Sequence, residues 1–325
     1  MLLSRVRHSL QGFKLVDRGH RVLVACSGGP DSIALAHVLH RLSHTMDFKV
    51  AIASIDHGLR PEATDEVAQV DRLAQQWQCD FYPLTLRIDA KGQSLQAAAR
   101  QARYEALLSL ARDIGAQRIA TGHTADDQAE TLLMRLLRGT GVTGLTGINR
   151  HRADGVIRPL LDQRRAAIMT YIKEQALPVV SDPSNHQSRF LRVRVRKEAL
   201  PLLDSLHAGV VEHLSALAND MREVDAYLDT ALGTWEDSRL DVQAQSCAID
   251  ALQALPPALQ SRWVQQWLGH HGLQSLSRAH LRDALAALRH PQAEVRLPQG
   301  WNILRQGSML RLTRRVTSTQ DRTSS

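Results

Sequence analysis

The sequence contains few cysteines and lacks a long apolar run, and both absences exclude classes of protein. The three cysteines, Cys26, Cys79 and Cys247, are far apart and form no CxxC pair, which argues against a disulfide framework and a cysteine-rich metal site. The N-terminal residues contain no apolar core of signal-peptide length, and no later stretch approaches the roughly 18 apolar residues that span a bilayer. We therefore expect a cytoplasmic protein with reduced thiols and no membrane partner.

Length and charge set the next expectations. The chain has 325 residues, which exceeds the usual size of one domain, so we expect a catalytic domain of roughly 200 residues plus a smaller one. The formal net charge of +7 favours a polyanionic partner, because lysine and arginine release counterions from phosphate backbones. Many basic proteins bind no nucleic acid, so charge alone does not identify the partner.

Short apolar runs alternate with longer segments of helical spacing. Residues 21–26, 50–55, 81–88 and 118–121 are typical of strands, and residues 62–77 and 95–114 are typical of helices. This alternation predicts an α/β fold with a doubly wound parallel sheet. Ligands of such sheets bind beyond the carboxyl ends of the strands, so the loops after Cys26, Ile55 and Thr121 are expected to converge.

The pattern changes near residue 210. Residues 210–232 and 257–288 are helical in spacing, and a short β-like ending follows at residues 295–312. We predict a smaller, mainly helical C-terminal domain, with domains at residues 1–210 and 211–325. Within it, Trp263 and Trp267 are four residues apart and are interpreted as core side chains, not as a platform for stacking bases.

A glycine-containing loop follows the first apolar run. It comprises Ser27, Gly28, Gly29, Pro30, Asp31 and Ser32. Two glycines let the backbone aim several N–H groups at one point, and the following helix adds partial positive charge, so a phosphate can be held there. The loop is neither GxxxxGK[ST] nor GxGxxG. The alternative is an ordinary strand-to-helix turn, with Pro30 near the first helical position and Asp31 in the first turn.

Two acids begin a later helix. Asp127 and Glu130 are three residues apart, so both carboxylates lie on one face near the helix start and could bind one cation. The alternative is structural, since acids in the first turn, with Arg135 and Arg138 in the last, complement the helix dipole.

Basic residues alternate with apolar ones at residues 188–197 (SRFLRVRVRK). An extended ribbon of this kind suits a phosphate backbone or a pyrophosphate. The alternative is an exposed amphipathic strand or the start of a helix. The basic members are Arg189, Arg192, Arg194, Arg196 and Lys197.

These segments together resemble a known family. SGGPDS resembles the SGGxDS loop of the N-type ATP pyrophosphatases, the PP-loop superfamily, and GHTADDQAETLLMRLLRGTGVTGLTGI resembles the long signature of the tRNA(Ile)-lysidine synthetases. IDHGLR, AARQARY, RPLL and DPSN resemble further motifs of that family, and the resemblance covers most of residues 21–205. Residues 261–268 more loosely resemble its first C-terminal domain.

The resemblance implies a reaction. ATP activates the C2 oxygen of the wobble cytidine in a tRNA(Ile) with a CAU anticodon, pyrophosphate leaves, and the ε-amine of free L-lysine displaces AMP. The product is lysidine, which changes codon recognition from AUG to AUA. ATP and Mg²⁺ are the implied cofactors, and the oligomeric state, a homodimer included, is left open.

The resemblance also implies roles for individual residues. The loop from Ser27 to Ser32 binds ATP, with Asp31 helping to place Mg²⁺, and His57 and His123 are candidates for contact with ATP or the base. Asp127 and Glu130 hold and deprotonate lysine, whose ammonium has a pKa of about 10.4. The DPSN motif and the arginine segment after it imply that Arg192 or Arg196 reaches the active site, and Arg192 is assigned to the catalytic set, which is Asp31, Asp127, Glu130 and Arg192. On the pattern of the basic ribbon, and not on the resemblance, the residues expected to bind tRNA are Arg189, Arg194, Arg196 and Lys197.

One departure and two rival functions accompany this interpretation. The family's asparagine in the arginine segment is replaced by Val193, so the local hydrogen bonding differs. One rival is a tRNA thiolase of the same superfamily, against which the lack of a CxxC pair argues. The other is a catalytically silent tRNA-binding protein, which has no need of the SGGPDS and DDQAET segments.

Overall fold

The chain folds into two compact units. The computed structural model describes residues 1–56, 62–86, 95–180, 191–235, 240–273, 276–290 and 293–314. The first unit comprises Met1–Met134 and Gly147–Ala216, and the second comprises Arg135–Thr146 and Leu217–Ser325. His57 and Arg189 lie outside the described residues.

The helices and strands alternate through most of the first unit. In chain order the elements up to residue 233 are α1 (Leu2–Gly12), β1 (Arg21–Ala25), α2 (Pro30–Met46), β2 (Lys49–Asp56), α3 (Glu62–Gln76), β3 (Asp80–Thr85), α4 (Leu95–Asp113), β4 (Arg118–Ala120), α5 (Ala125–Leu137), α6 (Val142–Leu145), β5 (Val156–Ile157), α7 (Arg165–Glu174), α8 (Leu191–Arg194), α9 (Leu200–Leu206) and α10 (Val210–Gly233). Of these, α6 belongs to the second unit, and α5 and α10 each have residues in both units. Elements of the second unit follow α10: β6 (Ser246–Ala248), α11 (Ile249–Ala254), α12 (Pro257–His270), α13 (Arg278–Ala286), β7 (Glu294–Arg296), β8 (Trp301–Gln306) and β9 (Met309–Arg314).

The first unit contains the predicted parallel sheet. Its strand order is β3-β2-β1-β4-β5, and every pair is parallel. The chain builds outward from β1 to β3 and then returns to place β4 on the other side of β1. The order therefore reverses between β1 and β4, and this switch point is where open α/β sheets bind ligands.

Helices cover both faces of this sheet. Val22 and Val24 point to a core shared with α1, α2, α3 and α7, whereas Leu23 points to a core shared with Tyr104 and Leu107 of α4. Because both faces are buried, β1 is a continuous apolar run and not an alternating one. The doubly wound prediction is confirmed.

The structure differs from the sequence prediction at two places in this unit. The two-residue strand β5 was not predicted, because a run of that length has no measurable period. The arginine segment is not an extended ribbon. It is helical, with α8 continuing into a π-helical turn at Val195–Ala199, so residues four apart share a face.

The second unit combines helices with an antiparallel sheet of order β6-β9-β8-β7. The predicted helical stretch at residues 257–288 is divided into α12 and α13. Trp263 and Trp267 are buried core residues, as interpreted from the sequence, with ring centroids 5.2 Å apart. Their indole N–H groups donate to the carbonyls of Leu240 (3.1 Å) and Ala244 (2.7 Å). Within the described ranges, none of the helices combines the length and the apolar character that crossing a bilayer requires.

Candidate active site

The glycine loop lies at the carboxyl end of β1 and leads into α2. Gly28 has φ 80°, a left-handed conformation that glycine adopts without a steric penalty, and its carbonyl accepts a hydrogen bond from Val180 N at 3.0 Å. The Ser32 hydroxyl accepts from Ser27 N (3.1 Å) and donates to Gly29 O (2.9 Å), which closes the loop. The 17-residue helix α2 begins at Pro30, and the N–H groups of Ser32 and Ile33 donate to the carbonyl of Gly29, so the positive end of the helix dipole lies at the loop.

The loop after β4 touches the start of α2. A Cβ placed on Gly122 would lie 3.1 Å from the carbonyl carbon and oxygen of Asp31 and 3.2 Å from Ser32 N. Only glycine permits this approach without a backbone shift. The predicted convergence of the loops after Cys26 and Thr121 is confirmed, whereas the loop after β2 that carries His57 lies outside the described residues.

Asp31 has one satisfied and one unsatisfied oxygen. Its Oδ2 accepts from Nε (3.2 Å) and Nη2 (3.1 Å) of Arg165. Its Oδ1 is buried and has no hydrogen-bond partner among the described residues. Burial raises the pKa of Asp31, and the charge of Arg165 offsets this only in part. An unpaired buried carboxylate oxygen is costly, so this atom suits a cation or a donor from a ligand.

Asp127 is fixed at the start of α5. Its Oδ2 accepts from the backbone N (2.9 Å) and the hydroxyl (3.0 Å) of Thr124, and its Oδ1 lies 2.9 Å from Arg192 Nη2. Burial raises the pKa of Asp127, but Arg165 and Arg192 more than offset it and hold the pKa below its usual value. The Asp127 side chain is therefore ionised at neutral pH.

Glu130 lies one helical turn further along the same face and is fully buried. Its Oε2 accepts from Arg192 Nε (2.7 Å) and Arg196 Nη2 (3.0 Å), and its Oε1 accepts from Arg196 Nε (2.5 Å). The two arginines are four residues apart, so the helical conformation of the arginine segment brings both to α5. A π-helical turn at such a place is a frequent mark of a functional site.

The remaining basic candidates point elsewhere. Arg194 pairs with Glu198 at 3.2 Å and its side chain is 61% exposed. Lys197 is also exposed. Of the residues expected to bind tRNA because of the basic ribbon, Arg196 instead lies in the acidic site, as the resemblance allowed, and Arg194 and Lys197 lie on the surface.

Arg165 is a site residue that the sequence motifs did not predict. It links the phosphate loop to the acidic helix, since its Nη2 lies 3.1 Å from Asp31 Oδ2 and 3.6 Å from Asp127 Oδ1. Its backbone N donates to Asp126 Oδ2 at 2.7 Å, which holds the start of α7 against α5. A signal was present, because a cation in the first turn of a helix opposes the helix dipole and needs another reason.

His123 lies beside this site in the loop after β4. Its Nδ1 is 3.0 Å from the Thr121 hydroxyl. Burial, aided by the charge of Arg158, lowers the pKa of His123 to about 3. The imidazole is neutral at physiological pH, so it can serve as a hydrogen-bond partner but not as a cation.

Comparison with known proteins agrees with this geometry. Residues 2–203 match the family described as PP-loop domain, and residues 248–311 match the TilS substrate binding domain. A tRNA(Ile)-lysidine synthase from Novosphingobium aromaticivorans is 37% identical over 83% of this chain and 81% of its own length. The chain belongs to the tRNA(Ile)-lysidine synthase family. Its members are ligases that modify tRNA, and the PP-loop domain is an ATP-binding domain.

Other relatives differ in how much of their length is matched. The lysidine synthase of Salinispora tropica is 35% identical over 94% of this chain and 93% of its own length. That of Symbiobacterium thermophilum is 44% identical over 70% of this chain, which spans about half (49%) of that relative. Among solved structures, a U34-tRNA thiolase from Methanococcus maripaludis, determined with its [4Fe-4S] cluster, matches with a TM-score of 0.59 at 16% identity, covering 68% of this chain and 78% of its own. This last likeness shows the fold alone.

Proposed function

We propose that this chain joins free lysine to the C2 position of the wobble cytidine of tRNA(Ile) with a CAU anticodon, through an adenylated tRNA. The observation that carries the proposal is the adjacency of a phosphate loop to a pair of buried carboxylates. Arg165 contacts Asp31 of the loop and Asp127 of the pair. A reaction that uses ATP and then a cationic amine needs both sites within reach of one base.

The first step takes place at the glycine loop. The C2 oxygen of cytidine attacks the α-phosphorus of ATP, the bond to the β-phosphate breaks, and pyrophosphate leaves. Backbone N–H groups of the loop and the start of α2 bind the phosphates. Mg²⁺ fits Asp31, because Oδ1 is buried and has no partner among the residues that the structure describes, and Mg²⁺ is commonly held by one or two carboxylates plus substrate phosphates. When bound, it neutralises charge on the phosphates.

The second step needs Asp127 and Glu130. Within the described residues three carboxylates, Asp31, Asp127 and Glu130, face three guanidinium groups, those of Arg165, Arg192 and Arg196. Guanidinium forks bind phosphates as well as carboxylates, so ATP can draw the arginines away from the acids. The acids then receive the lysine ammonium, and one of them accepts a proton before the amine attacks C2 and AMP leaves.

The two domains divide this work in the proposal. The catalytic domain at residues 1–210 carries ATP and lysine, and the domain at residues 211–325 docks tRNA. The family matches at residues 2–203 and 248–311 support this division. A cytoplasmic location and a homodimer remain part of the hypothesis and are tested by fractionation and by sedimentation.

The direct test is incubation with tRNA(Ile) transcript, ATP and labelled lysine. We expect label on the wobble cytidine, and none on a control transcript with uridine at that position. Transfer of sulfur in place of lysine would support the thiolase alternative, and tRNA binding without any product would support the silent binder.

A further inference from the structure

A second concentration of positive charge surrounds Tyr104 on α4. The guanidinium carbons of Arg100, Arg103 and Arg152 lie 5.4, 5.7 and 4.8 Å from the centroid of the Tyr104 ring. Arg158, directly after β5, is buried and acts on the same phenol. We call these four arginines and Tyr104 the Tyr104 cluster.

The Tyr104 cluster adjoins the active site but lies apart from the glycine loop. Ile157, which precedes Arg158, accepts a backbone hydrogen bond from Thr121 N at 3.0 Å, so Arg158 lies beside the loop of His123. Burial is the largest cause of the lowered pKa of His123, and the charges of Arg158, Arg100 and Arg103 lower it further. In the strand order β1-β4-β5, Arg158 follows β5 whereas the glycine loop follows β1, and the loop of His123 follows the strand between them.

The charge of this cluster is poorly compensated. Arg152 pairs with Asp154 at 2.6 Å. Among the residues that the structure describes, Arg100, Arg103 and Arg158 have no carboxylate within ion-pair distance. Burial lowers the pKa of both Arg103 and Arg158, because it removes water from around their charges.

Two buried donors of the cluster are also unused. Tyr104 is 7% exposed and Arg158 is 3% exposed, and the two side chains interact with each other. A guanidinium can only donate, so the hydroxyl proton of Tyr104 has no acceptor in the described part of the chain, and neither has the Nε of Arg158. Burial raises the pKa of Tyr104, but the charges of Arg158 and Arg100 outweigh it and lower the pKa. Unsatisfied donors beside uncompensated cations are stabilised by an anion with several acceptor oxygens.

We propose that the Tyr104 cluster is a second phosphate site, which binds a phosphoryl oxyanion on the His123 side of the active site. Two sources share this chemistry: a phosphodiester of the tRNA near the reacting base, and the pyrophosphate released from ATP. That the ligand is one of these two rests on the proposed function. That the cluster binds an oxyanion rests on the residues of the cluster alone.

The test compares substitutions in the cluster with a matched control in the full chain. The variants are Arg103→Gln, Arg152→Gln and Tyr104→Phe. Arg112→Gln is the control, because Arg112 is exposed in the last turn of the same helix. Two affinities are measured without lysine: that for tRNA(Ile) transcript without ATP, over a range of salt, and that for inorganic pyrophosphate by calorimetry.

The two candidate ligands, a tRNA phosphodiester and pyrophosphate, predict different results. A phosphodiester at the cluster predicts that Arg103→Gln and Arg152→Gln weaken tRNA binding about tenfold and reduce the salt slope by about one each, with pyrophosphate affinity unchanged. A pyrophosphate site predicts an equal loss for pyrophosphate and none for tRNA. Tyr104→Phe should weaken binding of the same ligand, since only the hydroxyl is removed.

The inference is overturned if the folded variants bind both ligands as the control does. Arg152→Gln serves if Arg103→Gln does not fold, since Arg152 is partly exposed and less central to packing. Because both affinities are measured without lysine, the outcome is separable from the proposed function. If the wild type forms lysidine but the variants bind both ligands normally, only the second phosphate site is contradicted. If the affinities change but the wild type forms no lysidine, only the proposed reaction is contradicted.

Discussion

At the scale of single residues, the assignment of Glu130 to lysine can be tested by splitting the two half-reactions. Gln in place of Glu130 keeps the shape but loses the negative charge that attracts an ammonium and the basicity that deprotonates it. We expect Glu130→Gln to form adenylated tRNA at close to the wild-type rate and to make lysidine about a hundredfold more slowly or worse. Trapping labelled AMP on tRNA measures this accumulation directly.

Controls are needed because Glu130 is buried against two arginines. Its amide would place an N–H group against a guanidinium, at a cost of about 1–3 kcal/mol of stability, so thermal unfolding of the variant must be followed. Glu198→Gln is the matched control, since Glu198 pairs with Arg194 on the exposed face of the same segment. Loss of adenylation in Glu130→Gln would place Glu130 in the ATP site and contradict the lysine assignment.

At the scale of elements, the contact between two loops makes Gly122 a positioning residue. A Cβ there would lie 3.1 Å from the Asp31 carbonyl, so Gly122→Ala must displace the start of α2 by a few tenths of an ångström. We expect KM for ATP to rise roughly ten- to hundredfold. Steady-state adenylation kinetics measure this effect. The control is Gly12→Ala, whose Cβ would meet nothing within 4 Å, and equal kinetics in both variants would show that the contact is unimportant.

The packing of α2 against α7 gives a pH dependence of stability. His37 Nδ1 of α2 lies 2.8 Å from the Tyr171 hydroxyl of α7, and burial, with the charge of Arg41, lowers the pKa of His37 to about 4. The unfolded chain therefore binds this proton near pH 6.5, whereas the folded chain does so only near pH 4. The contribution of His37 to the free energy of unfolding is therefore fully present above about pH 6.5 and is lost as the pH falls towards 4, by at most about 3 kcal/mol.

Denaturant unfolding of wild type and His37→Gln across pH 4 to 7 checks this sign. We expect the two curves to converge at the acid end, because the variant cannot gain a proton at this position. Parallel curves over the whole range would mean that His37 does not titrate as described. The pKa values of His40 and His123 are also lowered in the folded chain, in both proteins, so only the difference between the curves reports on His37.

At the scale of the whole molecule, the net charge of +7 predicts salt-sensitive tRNA binding. The logarithm of the affinity should fall linearly with the logarithm of salt concentration, with a slope that reflects several phosphate contacts. Arg194→Gln and Lys197→Gln should each reduce the slope by about one if their exposed face meets RNA. Filter binding at several salt concentrations measures this, with Arg112→Gln as the control. A tRNA affinity that does not change with salt concentration would show that the basic surface does not contact the tRNA backbone.

The layered α/β fold and the local motifs could be predicted from the amino-acid sequence alone. Strand and helix periods are properties of neighbouring residues, so the parallel sheet, the glycine loop before α2 and the shared face of Asp127 and Glu130 could all be predicted. The core position of Trp263 and Trp267 followed from the same periodicity. The long signature around α5 also indicated the family, because it is contiguous in the chain.

Only the tertiary structure decided which charges meet. Arg165 reaches Asp31 across 134 positions of sequence, and Arg192 reaches Glu130 across 62. The alternation of basic and apolar residues fitted a strand as well as a helix, and packing against α5 selected the helix, because four-residue spacing brings Arg192 and Arg196 to one buried carboxylate. Periodicity reports which face of an element is apolar, but the partner of a buried charge depends on how distant elements pack.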